Sequence, residues 1–144
     1  IILFFLITIP GCAKEKDGEI EYFIGFKDLN TSFPEQKDLK RLIKTFDEWS
    51  DFCSKNPYYS EALNEKNNQK YFKSKSLIVY SFTRSTGLGS TEITRINKIG
   101  DQLQIAVEYS SGIKDALTKG LIIIEVKKSD VSDIIDLKIV ETLI

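Results

Sequence analysis

The 144 residues carry 20 Lys and Arg against 21 Asp and Glu, so bulk charge recruits neither nucleic acid nor an anionic membrane surface. No histidine is present, which excludes Ser-His-Asp and Cys-His catalysis, His-ligated zinc and an imidazole pH switch within this chain. At 42% hydrophobic and 28% charged, the composition is that of one globular domain able to bury roughly two thirds of its unfolded surface.

Residues 1–9, Ile-Ile-Leu-Phe-Phe-Leu-Ile-Thr-Ile, are uncharged and almost wholly apolar. As a helix they would rise only about 14 Å, short of the ~20 residues that cross a bilayer core. The run has the length of a signal-peptide hydrophobic region. With no Met in the chain and Ile at position 1, a positively charged leader start is expected to precede it. Ile9-Pro10-Gly11-Cys12 then resembles the bacterial lipobox, with Pro10 where Ala or Ser is commoner. The resemblance implies that residues 1–11 are a truncated lipoprotein signal peptide. It also implies that Cys12 is acylated and becomes the first mature residue, holding the protein on the extracytoplasmic side of a cell membrane. Residues 12–18 are then the lipidated Cys and a charged tether, Ala13–Gly18, expected to reach at most about 20 Å, and residues 19–144 a single domain. A buried N-terminal strand with an incidental cysteine is the alternative.

Glu19–Phe26 predicts a first strand, with Ile20, Tyr22 and Ile24 opposite Glu21, Phe23 and Gly25. Lys27–Gln36, with Asn, Thr, Ser and Pro34, reads as a loop, and Leu39–Lys44 as a short extended piece of open register. Thr45-Phe46-Asp47-Glu48 fits a capping box opening a helix over Phe46–Lys55, and Asn56-Pro57 stops it. Phe46, Trp49 and Cys53 share its apolar face, with Phe52 at the margin. Cys53, with no histidine to activate it and a helix C-terminus nearby, reads as a buried thiol, and no disulfide with a lipidated Cys12 is expected. Residues 57–75 begin with Tyr58 and Tyr59 and suggest a short helix around Ser60–Glu65. They then become Asn-, Gln- and Lys-rich, which reads as a solvated loop rather than a phosphate-binding strip.

Leu77–Ile93 is the stretch around which the chain is organised: a strand, a Ser/Thr/Gly loop and a second strand, with the downstream chain expected to pair with it. Along Thr91–Ile99, Thr91, Ile93, Arg95, Asn97 and Ile99 alternate with Glu92, Thr94, Ile96 and Lys98. Gly100-Asp101 reads as a two-residue turn into Gln102–Ser110, giving a hairpin. Ser111–Gly120 reads as a loop, Leu121–Lys127 as a central strand apolar on both faces, Ser129–Asp133 as a helical turn and Asp136–Leu143 as a last strand. The expected fold is α+β: a mainly antiparallel twisted sheet or partial sandwich of about 5–6 strands with one packed helix over residues 46–55.

The central loop, together with the Trp-bearing helix, resembles the PrcB-like family, lipoproteins related to a subunit of a spirochaete surface protease complex. The family loop runs Gly-Thr-Arg-Pro-Thr-Gly-Gly-Tyr-Ser, then an apolar residue, Glu and Ile. Thr83, Arg84, Thr86, Gly87, Ser90, Glu92 and Ile93 match it in order, and Asp47-Glu48-Trp49 resembles an upstream Glu-Glu-Trp. Phe82 replaces the first Gly, Ser85 the Pro, Leu88 the second Gly and Gly89 the Tyr, so the aromatic at the loop tip is lost. Lys119-Gly120 stands where the family has a Pro-aromatic pair. The resemblance implies a membrane-anchored, non-catalytic interaction module, a subunit contacting a secreted or surface protease. The contact residues would be Thr83, Arg84, Ser85, Thr86, Gly87, Leu88, Gly89 and Ser90. No cofactor, metal, nucleic acid or small-molecule substrate is expected.

From the residues alone the loop has three readings. Gly87 and Gly89 permit positive φ and the hydroxyls of Ser85, Thr86, Ser90 and Thr91 can bond nearby amides, so it could be a structural connection, a partner-contact loop, or an anion site beside Arg84. It is not a P-loop, since no Gly-Lys-Ser/Thr follows. Two other functions compete with the module. A protease-inhibitor-like immunoglobulin-type domain would need the chagasin family's Arg-Pro-aromatic loop, which is missing. A carboxylate-dependent hydrolase would draw on Asp47, Asp51, Glu61, Glu65, Asp130, Asp133 and Asp136, but no acid is set against a base across a cleft. Calcium at Asp130, Asp133 and Asp136 lacks the EF-hand spacing.

Overall fold

The structure, a computed structural model, describes residues 17–29, 38–57, 69–84, 89–112 and 117–144. Cys12, the leader and the expected helix around Ser60–Glu65 lie outside the described residues. The architecture is α+β with few helices: among the described residues there are eight strands in two four-stranded sheets and one packed helix. The strands are β1 (Gly18–Glu19), β2 (Tyr22–Asp28), β3 (Leu39–Ile43), β4 (Lys75–Arg84), β5 (Thr91–Ile99), β6 (Gln102–Tyr109), β7 (Thr118–Lys127) and β8 (Asp136–Leu143). The helix α1 spans Phe46–Lys55, and a single turn, α2, spans Lys128–Val131. One sheet has the order β1-β5-β6-β8 and the other β2-β7-β4-β3.

Alternation explains the two cores. In β4 and β7, Ile78, Tyr80, Phe82, Ile122, Ile124 and Val126 face the first sheet and meet Ile93, Ile96, Leu103, Ile105 and Val107. The opposite row, Leu77, Val79, Leu121 and Ile123, carries Ile43, Trp49, Phe52 and Cys53 beneath α1. Buried on both faces, β7 is the central strand its run of Ile predicts. It begins at Thr118, inside the expected Ser111–Gly120 loop.

Helix α1 starts as the capping box predicts: Thr45 Oγ1 accepts the Glu48 amide at 3.2 Å, and Glu48 Oε2 accepts the Thr45 amide at 3.2 Å. Phe52 is buried, not marginal: it stacks on Trp49 at 5.8 Å within the cluster beneath α1, and the Arg41 guanidinium of β3 lies 5.7 Å from its ring. The polar segment before β4 also differs from a solvated loop. Tyr71–Lys73 forms a 3₁₀ turn, Phe72 is buried against Trp49 and Phe46, and the Tyr71 hydroxyl donates to Glu125 at 2.7 Å.

Three expectations are corrected. Downstream strands do pair with Leu77–Ile93, β7 with β4 and β6 with β5, but the two halves of that stretch lie in opposite sheets and β8 pairs with β6 instead. Their connection is an inter-sheet crossover, shortened because Thr83 and Arg84 belong to β4. The first strand is two strands: Gly18–Glu19 pairs with β5, and the chain then changes sheet so that Tyr22–Asp28 pairs with β7. With the first strand divided and Leu39–Ile43 paired as a full strand, the described residues hold eight strands against the expected five or six. Finally, strict alternation fails in β2 and β5, which each hold a bulge. Gly25 is the extra residue that sends Ile24 toward the inter-sheet core and Phe26 toward α1. Thr94 does the same in β5, placing Ile93 and Ile96 in one core although they are an odd number of residues apart. Lys98 follows Ile96 inward and is buried, its ammonium paired with Asp133 at 2.7 Å.

Gly100, at φ 59, turns the β5–β6 hairpin through the left-handed region that a glycine enters without strain. The last strand, β8, runs parallel to β6 in unbroken register, because the chain crosses to β7 in the other sheet and returns through α2.

Candidate interaction site at the inter-sheet crossover

The two strands that carry the crossover diverge into different sheets, so each stem of the loop needs its own fixing. On the first stem, the Thr83 amide donates to Asp38 Oδ1 at 2.7 Å. Arg84 follows, and its side chain turns into the molecule, with only 11% of it exposed. Its guanidinium lies between two rings, 4.1 Å from the Phe82 centroid and 3.9 Å from that of Tyr109. Nη1 donates to Thr91 Oγ1 at 2.7 Å and Nη2 to Glu141 Oε1 at 2.6 Å. One side chain of β4 thereby reaches β5, β6 and β8 of the opposite sheet. A flat cation with donors in its plane and π-attraction on its faces suits this slot, and an ammonium does not.

Glu141 is held from two sides. Its Oε1 also accepts the Tyr80 hydroxyl. Burial raises the carboxyl's pKa, but the Tyr80 hydroxyl and the Arg84 guanidinium together outweigh it and leave the group below its ordinary value. The Tyr80 hydroxyl is pushed well above the usual tyrosine range, by burial first and by Glu141 second.

On the second stem, Ser90 and Ser110 are clasped. The Ser110 amide donates to the Ser90 carbonyl at 3.0 Å, the Ser90 amide to Ser110 Oγ at 2.9 Å, and the two hydroxyls are 2.9 Å apart. Gly89 packs so tightly here that a Cβ on it would stand 1.7 Å from the Ser110 carbonyl oxygen. Of the eight expected contact residues, Thr83, Arg84, Gly89 and Ser90 are therefore stem residues, while Ser85, Thr86, Gly87 and Leu88 lie outside the described residues. Arg84 gives Nη1 to Thr91 and Nη2 to Glu141 between two rings, its Nε is buried without a partner, and with 11% of the side chain exposed little of it can meet an anion from solvent.

Sequence reasoning missed Asp38, Tyr80, Tyr109, Ser110 and Glu141. Their partners lie in other strands, and no local pattern marks them. The only local hint was an Arg that directly follows an aromatic strand.

The carboxylates considered for hydrolysis do not converge. Asp51 pairs with Lys55 at 2.9 Å and sits 4.0 Å from Arg41, on the exposed side of α1. Asp133 pairs with Lys98, and Asp136 accepts from Gln102 at 2.5 Å. Glu61 and Glu65 lie outside the described residues. Among the described residues no group of three His, Cys, Asp or Glu is placed to hold a metal ion, and no helix is long and apolar enough to cross a membrane. Burial pushes the Cys53 thiol up to about 11, far from the range of a nucleophile.

The crossover stands at one pole of the sandwich. Gly18 pairs with Lys98 and the Gly100 amide donates to Asp17 Oδ1 at 2.7 Å, so the N-terminal segment leaves at the β5–β6 hairpin. Thr91 and Tyr109, beside the crossover, occupy the other end of the same strands, roughly 23 Å away at the rise of a β-strand. Compared with protein-family models, with curated proteins and with solved structures, the chain matches none.

Proposed function

We propose that this chain is a membrane-anchored extracytoplasmic lipoprotein whose folded domain acts as a non-catalytic interaction module, a subunit of a protease complex in the manner the PrcB-like resemblance implies. The observation that carries this reading is the clamped crossover: Arg84 between Phe82 and Tyr109 on one stem, and the Ser90–Ser110 clasp on the other. A segment whose first stem is tied to β5, β6 and β8 and whose second stem is clasped to Ser110 is presented from a fixed base, which lowers the ordering cost of binding. The polarity of the domain agrees with an anchor at Cys12. Asp17 and Gly18 lie at the hairpin pole, so on this reading an anchor at Cys12 would join the domain at the end opposite the crossover.

The test is crosslinking in intact cells followed by recovery of the tethered protein. The intact chain should bring down an envelope protein that a variant with residues 85–88 replaced by Gly and Ser does not. Equal recovery by both counts against the crossover, and recovery of nothing by either counts against the module. Cys12→Ala should move the protein out of the membrane fraction. A protease-inhibitor-like immunoglobulin-type domain is separated by assay: the module reading expects no inhibition of a papain-type protease.

A further inference from the structure

The first described residues and a group of lysines share one end of the domain. Gly18 pairs with Lys98 at the β5–β6 hairpin, and Gly18, Glu19 and Glu21 line one hollow with Lys127, Ser129 and Asp130. Lys75 and Lys127 are cross-strand partners at the start of β4 and the end of β7. The Lys128 amide donates to the Ser74 carbonyl at 2.9 Å and its Nζ to the Phe72 carbonyl at 2.9 Å, so the Tyr71–Lys73 turn and α2 form one surface.

Five lysines meet on that surface: Lys70, Lys73, Lys75, Lys127 and Lys128. Lys75 is paired with Glu125 at 3.3 Å and Lys127 with Glu21 at 3.0 Å. Lys128 spends its ammonium on an uncharged carbonyl, and the exposed Lys70 and Lys73 meet no carboxylate among the described residues. Even with Asp130, which lines the same hollow as Lys127, five cations face three carboxylates. Phe23 stands among them, 65% exposed, at a hollow it shares with Lys75 and Lys127. An exposed ring beside amines is what a phospholipid interface accepts, the ring at headgroup level and the amines on phosphate. The other acidic groups of this end, Asp101, Asp133 and Asp136, lie along the sheet of β5, β6 and β8.

We infer that the lysine face is the surface on which the anchored domain rests, with Phe23, Lys70, Lys73, Lys75 and Lys128 against anionic phospholipid headgroups. The inference rests on the lipoprotein reading. From Cys12 to Asp17 the chain spans at most about 18 Å, so an acylated Cys12 keeps this end of the domain at the bilayer. A net charge of −1 gives the free chain no bulk attraction, but an anchored domain needs only a bias in its orientation. Each lysine brought within a Debye length of an anionic leaflet supplies a bias of about fivefold. The acidic side of the same end then faces water.

The probe is a bilayer of stated charge. The chain from Cys12 onward keeps every described residue, and it is coupled through Cys12 to a maleimide-bearing phospholipid, the buried Cys53 thiol reacting far more slowly. In vesicles of phosphatidylcholine with about a third phosphatidylglycerol, acetylation of Lys70 and Lys73 should run at least about threefold slower than in phosphatidylcholine alone. Lys40, which pairs with Tyr80 farther along β4, should react alike in both. The difference should vanish at about 0.5 M salt, and Phe23→Ser should narrow it. Lys70→Glu with Lys73→Glu should remove the slowing at Lys75 and Lys127. Equal rates in the two vesicles, slowing shared by Lys40, or slowing that survives salt and charge reversal overturns the proposal. Because the anchor is supplied chemically, such a failure falls on the lysine face alone. Retention of Cys12→Ala in the membrane fraction of cells falls instead on the lipoprotein reading.

Discussion

Arg84 Nη2 donates to Glu141 Oε1 at 2.6 Å across 57 positions of chain, and the two residues belong to opposite sheets. The last strand is thereby tied to the strand that enters the crossover, and Tyr80 donates to the same carboxylate oxygen. Loss of the guanidinium removes two ring contacts and two hydrogen bonds at once. Arg84→Ala should therefore cost about 2–4 kcal/mol in denaturant unfolding. Arg84→Lys should recover less than half of that, since an ammonium can pair with Glu141 but cannot fill the slot between Phe82 and Tyr109. Full rescue by Lys would show that charge alone matters here and that the aromatic sandwich contributes nothing.

The same carboxylate predicts an acid limb. Its folded-state pKa lies below the ordinary 4.5, so the unfolded chain takes up the proton first as pH falls. The stability Glu141 contributes is complete above about pH 4.5 and drains away as pH drops through the lower folded value. Glu141→Gln should flatten the fall in stability below pH 4.5 relative to the parent, measured by thermal unfolding at a series of pH values. An unchanged slope would mean that other carboxylates govern the limb.

How much of this was legible beforehand depends on the range of the interactions. The helix was read to its bounds because Thr45, Glu48 and Asn56 are local signals, and β7 because Leu121–Ile124 has no polar face to offer water. The hairpin was legible from Gly100 and the alternation after it. The division into two sheets was not, because nothing local tells a strand which neighbour to choose. The bulges at Gly25 and Thr94 were visible only as breaks in period, Ile93 followed by Ile96, that strict alternation could not absorb. At the site, sequence marked Arg84 as a contact residue without saying what it would touch inside the fold. Its fate was decided by Tyr109 and Glu141, which are remote in the chain.

Two glycines near the crossover should tolerate no side chain. Gly120 pairs with Phe82 across the sheet, and a Cβ there would stand 2.1 Å from the Phe82 ring. That ring cannot swing away freely, because Arg84 lies on it. Gly89→Ala meets the backbone of Ser110 itself. Both substitutions should cost about 1–3 kcal/mol as overpacking, against a few tenths for Gly18→Ala, where a Cβ meets nothing within 4 Å. Gly89→Ala should also loosen the Ser90–Ser110 clasp, visible as faster exchange of the Ser110 amide.

Cys53 offers a readout of the helix core without altering it. Burial pushes its thiol from 9.0 up to about 11, so at pH 8 only about one molecule in a thousand carries thiolate, against about one in ten for an unburied group. With Cys12 replaced by Ala to leave a single thiol, a disulfide reagent at pH 8 should label the folded chain at least about 100-fold more slowly than the denatured one. Trp49→Ala, which empties the space beside Phe52 and Phe72, should cost about 3–5 kcal/mol and bring the two rates together as the native population falls. Because the folded pKa is raised, the thiol's contribution to stability is complete below pH 9 and lost as pH climbs toward 11. Prompt labelling of the undisturbed native chain would place Cys53 at an accessible surface and remove the argument that α1 seals this face of the sheet.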